Sequence, residues 1–267
     1  FDAGITEDYD QFSQELRLAS DTTGTFSWIG GLFVQRSALD ETDYLHVPTN
    51  SLVVPVLAQS FAANPLLGGT PQSRAALANF FSDAVNPRVF RQTSHLYSAF
   101  FQGTWSLNDA LKMSAGGRFT RENKVGSRTT VLNRGFTGPR MPANVLFLFN
   151  SALGIIPHSL FGERSESSFS PLVNFQYSLA PESMLYFSWS QGYKSGGFDA
   201  RSNKPVTSGG TFEFEDERAT TYEVGIKSGI GSSAEINANI FYTDYKDLQT
   251  SAFDGAIGFN VGNGSSK

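Results

Sequence analysis

The 267-residue chain has no cysteine, which excludes disulfides and thiolate metal sites. Its three histidines, His46, His95 and His158, stand apart, and none has a second histidine or a carboxylate at metal-ligand spacing. No metal and no cofactor are expected. No run of about 18 or more apolar residues occurs, so a transmembrane helix is excluded. A transmembrane barrel is not excluded, because its strands alternate polar with apolar residues and look only weakly hydrophobic on average. Charge is sparse (17%) and slightly acidic, with net charge −5 and pI near 5.2, so no basic surface points to nucleic acid.

Aromatic residues (13%, with 24 phenylalanines) and glycine (26) are abundant, a composition that leans towards sheet. Apolar residues recur with period two. Phe26, Trp28, Leu32 and Val34 alternate with Ser27, Phe33 and Gln35; Tyr97, Phe101 and Trp105 with Ser98, Gln102 and Thr104. Met113 and Phe119 oppose Lys112 and Arg118, Phe187 and Trp189 oppose Ser188 and Ser190, and Tyr222 and Val224 oppose Glu223 and Lys227. With Gln11–Ala19, Ser168–Leu179 and Ala234–Thr243 this makes about eight antiparallel strands of roughly 10–14 residues, where soluble strands average about 5–6.

The connections alternate strictly between tight and long. Ser20–Gly24, Leu107–Ala110, Ala180–Ser183 and Gly229–Ser233 are short and rich in turn formers; Leu39–Gln92, Asn123–Glu163 and Ser195–Glu215 are long. A meander trimmed at one end and elaborated at the other suits an outer-membrane barrel with short periplasmic turns and long outer loops. Charges follow the same logic. Glu15, Arg17, Arg118, Glu223 and Lys227 fall on the polar parity, whereas Arg36, Arg121 and Asp244 fall on the apolar parity only near strand ends. A charge facing lipid at mid-depth costs about 2–4 kcal/mol. The expected fold is therefore all-β, an antiparallel transmembrane barrel. Trp28, Phe101, Trp105, Phe187, Trp189 and Tyr222 would face lipid, with Tyr193 on the same side nearer the rim. A soluble sandwich or lipocalin-like barrel would alternate too, but with shorter strands.

Inside the long connections, Pro71 and the following RAALANFFSDAV predict a short helix. The apolar stretches Val47–Ser73 and NVLFLFNSALGIIP are broken by proline, and read either as packed loop structure or as a hydrophobic rim for a ligand or partner.

SWSQGYKSGGFD, Ser188–Asp199, superficially suggests a phosphate loop. It lacks the glycine five residues before a Gly-Lys-Ser, and Tyr193 separates Gly192 from Lys194. No nucleophile elbow occurs, so no enzyme is expected. The acidic run Glu213, Glu215, Asp216 and Glu217 lacks the calcium-loop pattern and reads as a solvated rim.

Four stretches, taken in order, resemble the barrel of TonB-dependent outer-membrane receptors: QFSQELRLAS with FSWIGGLFVQ, LYFSWSQGYKSGGFDARS, FEDERATTYEVGIKS, and ANIFYTDYKDLQ. The resemblance implies a barrel of about 22 strands filled by an N-terminal plug. It also implies uptake of scarce nutrients such as ferric siderophores, with energy relayed by TonB, in the outer membrane of a Gram-negative bacterium. No TonB box, plug or closing strand is found, so residues 1–267 are expected to be a partial barrel domain whose parent engages TonB through the missing plug. Its other partners would be outer-membrane lipid and a small-molecule or metal-chelate ligand. The residues expected to meet plug or substrate in the lumen are Glu15, Arg17, Arg118, Glu223 and Lys227, although pairing within the wall would equally explain them. Arg74, Arg88, Arg91 and Arg201 are the ligand candidates in the loops. A self-contained small outer-membrane barrel, serving as anchor or passive pore, is the alternative.

Overall fold

A computed structural model of the chain describes residues 1–62, 70–231, 234–253 and 258–266. In chain order the elements are β1 (Asp2–Ala19), β2 (Phe26–Val47), α1 (Val53–Ala62), α2 (Pro71–Phe81), β3 (Ala84–Ser106), β4 (Leu111–Thr130), β5 (Asn133–Arg134) and α3 (Leu146–Leu153). They are followed by β6 (His158–Ala180), β7 (Ser183–Lys194), β8 (Gly197–Phe198), β9 (Glu213–Phe214), β10 (Glu217–Ile230), β11 (Ala234–Phe253) and β12 (Gly258–Ser266). The main sheet is one antiparallel meander in the order β1-β2-β3-β4-β6-β7-β10-β11-β12, with β5 attached to β3. Among the described residues β1 and β12 do not pair, so the sheet is an open wall and not a closed small barrel.

The apolar parity forms a level belt across this wall. It spans nine residues in each of β2 (Phe26–Val34), β3 (Tyr97–Trp105), β4 (Leu111–Phe119), β10 (Tyr222–Ile230) and β11 (Ala234–Tyr242). Registers align its ends: Phe26 opposes Trp105, Val34 opposes Tyr97, Tyr222 opposes Tyr242 and Ile230 opposes Ala234. A tilted strand needs about 9–11 residues to cross a bilayer. The belt has that height, and no layer of the molecule covers it: Phe101 is 51% and Trp105 37% exposed. Trp28 stacks on Phe101 and Phe26 leans on Trp105, so the aromatics brace one another along this face.

The strands run far beyond the belt. Six of them are 18–23 residues long, well above the 10–14 expected. Past the belt both faces are wet, so side chains need not alternate, and backbone pairing continues where the sequence pattern has faded. One consequence is a correction: the long connection expected over Leu39–Gln92 shrinks to residues 48–83, and Arg88 and Arg91 are strand residues of β3. β12 lies outside the strands expected, because GFNVGNGSS alternates only over Phe259 and Val261 before turning to glycine, asparagine and serine.

The remaining connection folds into a helical cap. Thr70 accepts the Ser73 N–H at the start of α2, with Pro71 at the first helical position, and Gly154 (φ 63°) ends α3. The apolar stretches pack together rather than forming a rim. Val47, Val54, Leu77, Phe81, Val145 and Phe149 share one buried core, with the rings of Phe81 and Phe149 5.1 Å apart.

Candidate functional site

Residues 195–216 fold back over the polar face of the wall, and this lobe organises the site. Gly126 and Gly162 are opposite one another on β4 and β6. Each leaves a gap filled by the Phe198 ring; a Cβ at Gly126 would stand 2.3 Å from it and one at Gly162 2.5 Å. β8 and β9 pair above this contact, and Phe212 packs on Phe198 at 5.0 Å.

Polar groups fasten the lobe from below. The side chain of Arg128, fully buried, donates to the Asp199 carbonyl at 2.6 Å, approaches the Asp199 carboxylate at 3.9 Å and lies over the Phe212 ring at 5.4 Å. Burial pushes its pKa down to about 10, against the pull of Asp199, so it remains a cation at neutral pH. The Asp199 carboxylate accepts from the Arg201 N–H (2.8 Å) and the Thr211 hydroxyl. Arg88 bonds Asp43 and donates to Asn203 Oδ1 (2.7 Å) and the Arg201 carbonyl (3.0 Å). Lys124 donates to Ser195 Oγ and the Gly196 carbonyl.

A second fastening lies where the wall splits. The β6–β7 ladder ends at the pair Leu172–Ser190; beyond it β6 stays with β4 and β7 stays with β10. Tyr193, expected on the belt side, instead turns into the gap, and its hydroxyl donates to Glu166 Oε2 at 2.6 Å. Glu166 also accepts from the Gly196 N–H (3.0 Å) and from Arg164. Burial alone would raise the Glu166 pKa, but the Tyr193, Arg164 and Gly196 donors outweigh it and hold the carboxyl below its ordinary range. Burial and the same hydrogen bond push the Tyr193 phenol up. Arg164 reaches Glu213 and Glu215 as well, and Arg218 pairs with Asp216. Three members of the acidic run, Glu213, Glu215 and Asp216, are thus paired with arginines while Glu213 and Glu215 stay exposed, and Glu217 accepts from the Gln249 N–H. Gly196 is required here: a Cβ would meet the Phe214 carbonyl at 2.3 Å and Glu166 at 2.8 Å. The motif GYKSGGFD is thus a clasp, in which nearly every residue from Tyr193 to Asp199 holds the lobe.

Beside the clasp a cavity of about 540 Å³ opens, lined by Glu41, Gln92, Lys124, Lys194, Arg201 and Gln249 among others. Glu41 Oε1 is buried with no hydrogen-bond partner and lies 3.9 Å from the Arg201 guanidinium. Burial raises its pKa, partly offset by Arg201 and reinforced by Asp43 and Glu7.

The other expected lumen residues divide into two groups. Glu15 and Arg17 pair along β1 (Nε to Oε1 2.7 Å), and both border with Arg118 and Phe100 a shallow depression of about 270 Å³. Arg118 donates to Ser98 at 3.0 Å and lies over the Phe33 ring at 5.2 Å. Glu223 and Lys227 stand apart on β10, Glu223 accepting from Tyr186 and from Asn239 (2.8 Å), and Lys227 bordering one depression with Glu182 and Glu235. Of the loop arginines, only Arg201 lines the large cavity. Arg74 donates to Gln59 within the cap (3.1 Å), Arg88 is consumed by the lobe, and Arg91 pairs with Asp40 on the opposite face. Arg128, Glu166 and Lys124 escaped the sequence reading, since charges on a wet face carry no periodic signal. The Gly126–Gly162 pair was findable only with the register in hand.

The clasp should loosen in acid. Burial lowers the His158 pKa from 6.5, opposed by its bond to the Ile156 carbonyl (2.6 Å), and Arg128 beside it lowers it further. His158 and Glu166 both take up protons more readily in the released chain. Their contribution is complete above pH 6.5, falls as His158 protonates, and falls again below 4.5 as Glu166 does. Glu41, with its raised pKa, acts in the opposite sense, binding its proton in the folded state already above 4.5. Amide exchange over 198–212, corrected for intrinsic rate, should accelerate below pH 6.5; a flat profile from 7.5 to 4 would contradict this.

A family model described as TonB dependent receptor-like, beta-barrel, matches residues 2–267. Among solved structures, the chain is similar to the ferric yersiniabactin uptake receptor FyuA from Yersinia pestis, with TM-score 0.63 and 18% identity over 92% of this chain and 30% of that one. It is also similar to the ferric-catecholate import receptor Fiu from E. coli K12 (0.52, 15%, 98% and 34%) and to the copper transporter OprC (0.53, 14%, 97% and 34%). The chain spans about a third of the length of each. These likenesses concern the fold. Receptors of this kind are transport proteins of the Gram-negative outer membrane, and that membrane is where this chain resides. By its belted wall and its family match, the chain belongs to the TonB-dependent receptor β-barrel family.

Proposed function

We propose that this chain is barrel wall of a receptor that takes up a scarce nutrient as an anionic metal chelate, such as a ferric siderophore. The belt face meets lipid, with Trp28, Phe101, Trp105, Phe187, Trp189 and Tyr222 in it; the polar face lines the lumen. Glu15, Arg17 and Arg118, low on that face, contact a plug in the parent protein, and the plug engages TonB. The protein moves its ligand and does not transform it.

The observation that carries this reading is the cavity beside the clasp. It is open on the loop side of the belt and bordered by three cations, Lys124, Lys194 and Arg201, against two carboxylates, Glu41 and Asp199, of which Asp199 is already faced by Arg128. A water-filled concavity with excess positive charge concentrates anions. The names of the similar receptors, two for ferric chelates and one for copper, support the same class of cargo.

The test is titration of the full receptor with a panel of ferric chelates, read by intrinsic fluorescence. Lys194→Glu with Arg201→Glu should weaken binding by about tenfold or more, on the scale of roughly 1.4 kcal/mol lost for two reversed charges. An unchanged dissociation constant, or tighter binding of a cationic ligand, would refute the proposal.

A further inference from the structure

The belt face carries two arginines and a histidine that the lumen reading does not use. Arg36 and His95 are directly opposed on β2 and β3, and Arg121 on β4 opposes Tyr97, one step below His95. Opposed residues place their Cβ atoms about 4.5–5.5 Å apart and diagonal ones about 7–8 Å, so the three form one compact group. All three have belt parity. They stand at the loop-side edge of the belt, where Phe12 opposes Arg36 and where Tyr97 and Phe119 are the last aromatics.

Their partners are few. Arg36 and His95 have no hydrogen-bond or ion-pair partner among the described residues, and Arg121 makes one long contact to Ser165 Oγ at 3.3 Å. The acids on this face are otherwise placed. Asp40 is held by Arg91, Asp8 opposes Asp40, Glu163 opposes Val125 well above Arg121, and Asp10 opposes Ala38 without pairing to Arg36. The contrast with the lumen face is physical. There Arg88, Arg128 and Arg164 are all held by carboxylates, whereas here Arg36 and His95 have no partner among the described residues and Arg121 has only a serine hydroxyl.

We infer that Arg36, His95 and Arg121 form a binding site for the phosphate groups of an outer-leaflet glycolipid. Two properties select that ligand. Guanidinium groups match phosphate oxygens in paired hydrogen bonds. The cations also adjoin the apolar belt, so the occupant must carry its anionic head directly above acyl chains. A soluble anion would satisfy the cations and ignore the belt. The loop side of a barrel faces the cell exterior, and there the leaflet is built of phosphorylated glycolipid. This inference rests on the belt facing lipid.

The test uses the full-length receptor in mild detergent, exchanged with bisphosphorylated lipid A or with its dephosphorylated form, and counts bound lipid by native mass spectrometry. The triple variant Arg36→Gln, His95→Gln, Arg121→Gln should retain the bisphosphorylated lipid at least about tenfold less well than the parent, because both arginines lose their attraction to the anionic headgroup. Both should bind the dephosphorylated lipid equally, and Arg36→Lys with Arg121→Lys should keep part of the preference. Heat-modifiable migration reports that each variant is folded, and Arg36→Gln alone provides a milder version. Equal retention of the two lipids by the parent, or an undiminished preference in the triple variant, would overturn the inference. Full competition by millimolar inorganic phosphate would do so too, showing a free-anion site. Absence of any lipid binding by the parent would instead count against the lipid-facing belt.

Discussion

Arg128→Ala should release residues 195–216 from the wall and destabilise the lobe by about 3–5 kcal/mol, the range for removing one partner of a buried charge pair. The size follows from what the guanidinium does. It is fully buried, it satisfies the Asp199 carbonyl, and it is the nearest cation to a carboxylate that is itself 2% exposed. Without it Asp199 keeps the Thr211 and Arg201 donors but loses its counter-charge. Arg128→Lys should recover only part, since an ammonium cannot both reach the Asp199 carbonyl and cover the Phe212 ring as the planar group does. Hydrogen exchange of the folded receptor would show protection lost over 198–212 but retained in β2–β4. Unchanged protection in that segment would mean that Phe198 in its glycine gap holds the lobe unaided.

Phe101→Arg should be the most damaging change on the opposite face. Phe101 sits at the middle of the Tyr97–Trp105 belt segment, so a cation there meets hydrocarbon at mid-depth and costs about 2–4 kcal/mol. The neighbouring Gln102→Arg points into the lumen face beside Thr104 and Ser114 and should cost little. Unfolding the two variants in detergent–lipid mixtures gives the comparison directly. Equal losses, or a larger loss for Gln102→Arg, would reverse the assignment of the faces.

Legibility in the sequence followed the membrane. Between Phe26 and Val34, or between Leu111 and Phe119, one parity had to be apolar and the other did not, and the alternation was plain. Above the belt that requirement lapses. The upper halves of β2, β3, β4 and β6 were then read as loops, which misplaced Arg88 and Arg91. Tyr193 was assigned by parity to the belt side, but parity holds only while a strand keeps both neighbours. Beyond Leu172–Ser190 strand β7 has lost β6, and the ring was free to turn towards Glu166. SWSQGYKSGGFD carries three glycines with no periodic pattern to explain them. Gly196 and Gly197 are places where Phe214 and Glu166 leave no room for a side chain, whereas Gly192 has open space around it.

The sequence by itself determined the class of fold, the short and long ends of the meander, and the face each belt residue takes. These depend on neighbours two residues away and on a solvent that penalises misplaced charge. The tertiary structure alone decided how far the strands extend, that residues 195–216 fold inward, and which charges meet. Those outcomes depend on pairs such as Gly126 with Gly162 and Arg128 with Asp199, separated by 36 and 71 residues. Strand register brings such pairs together, and no local pattern records it.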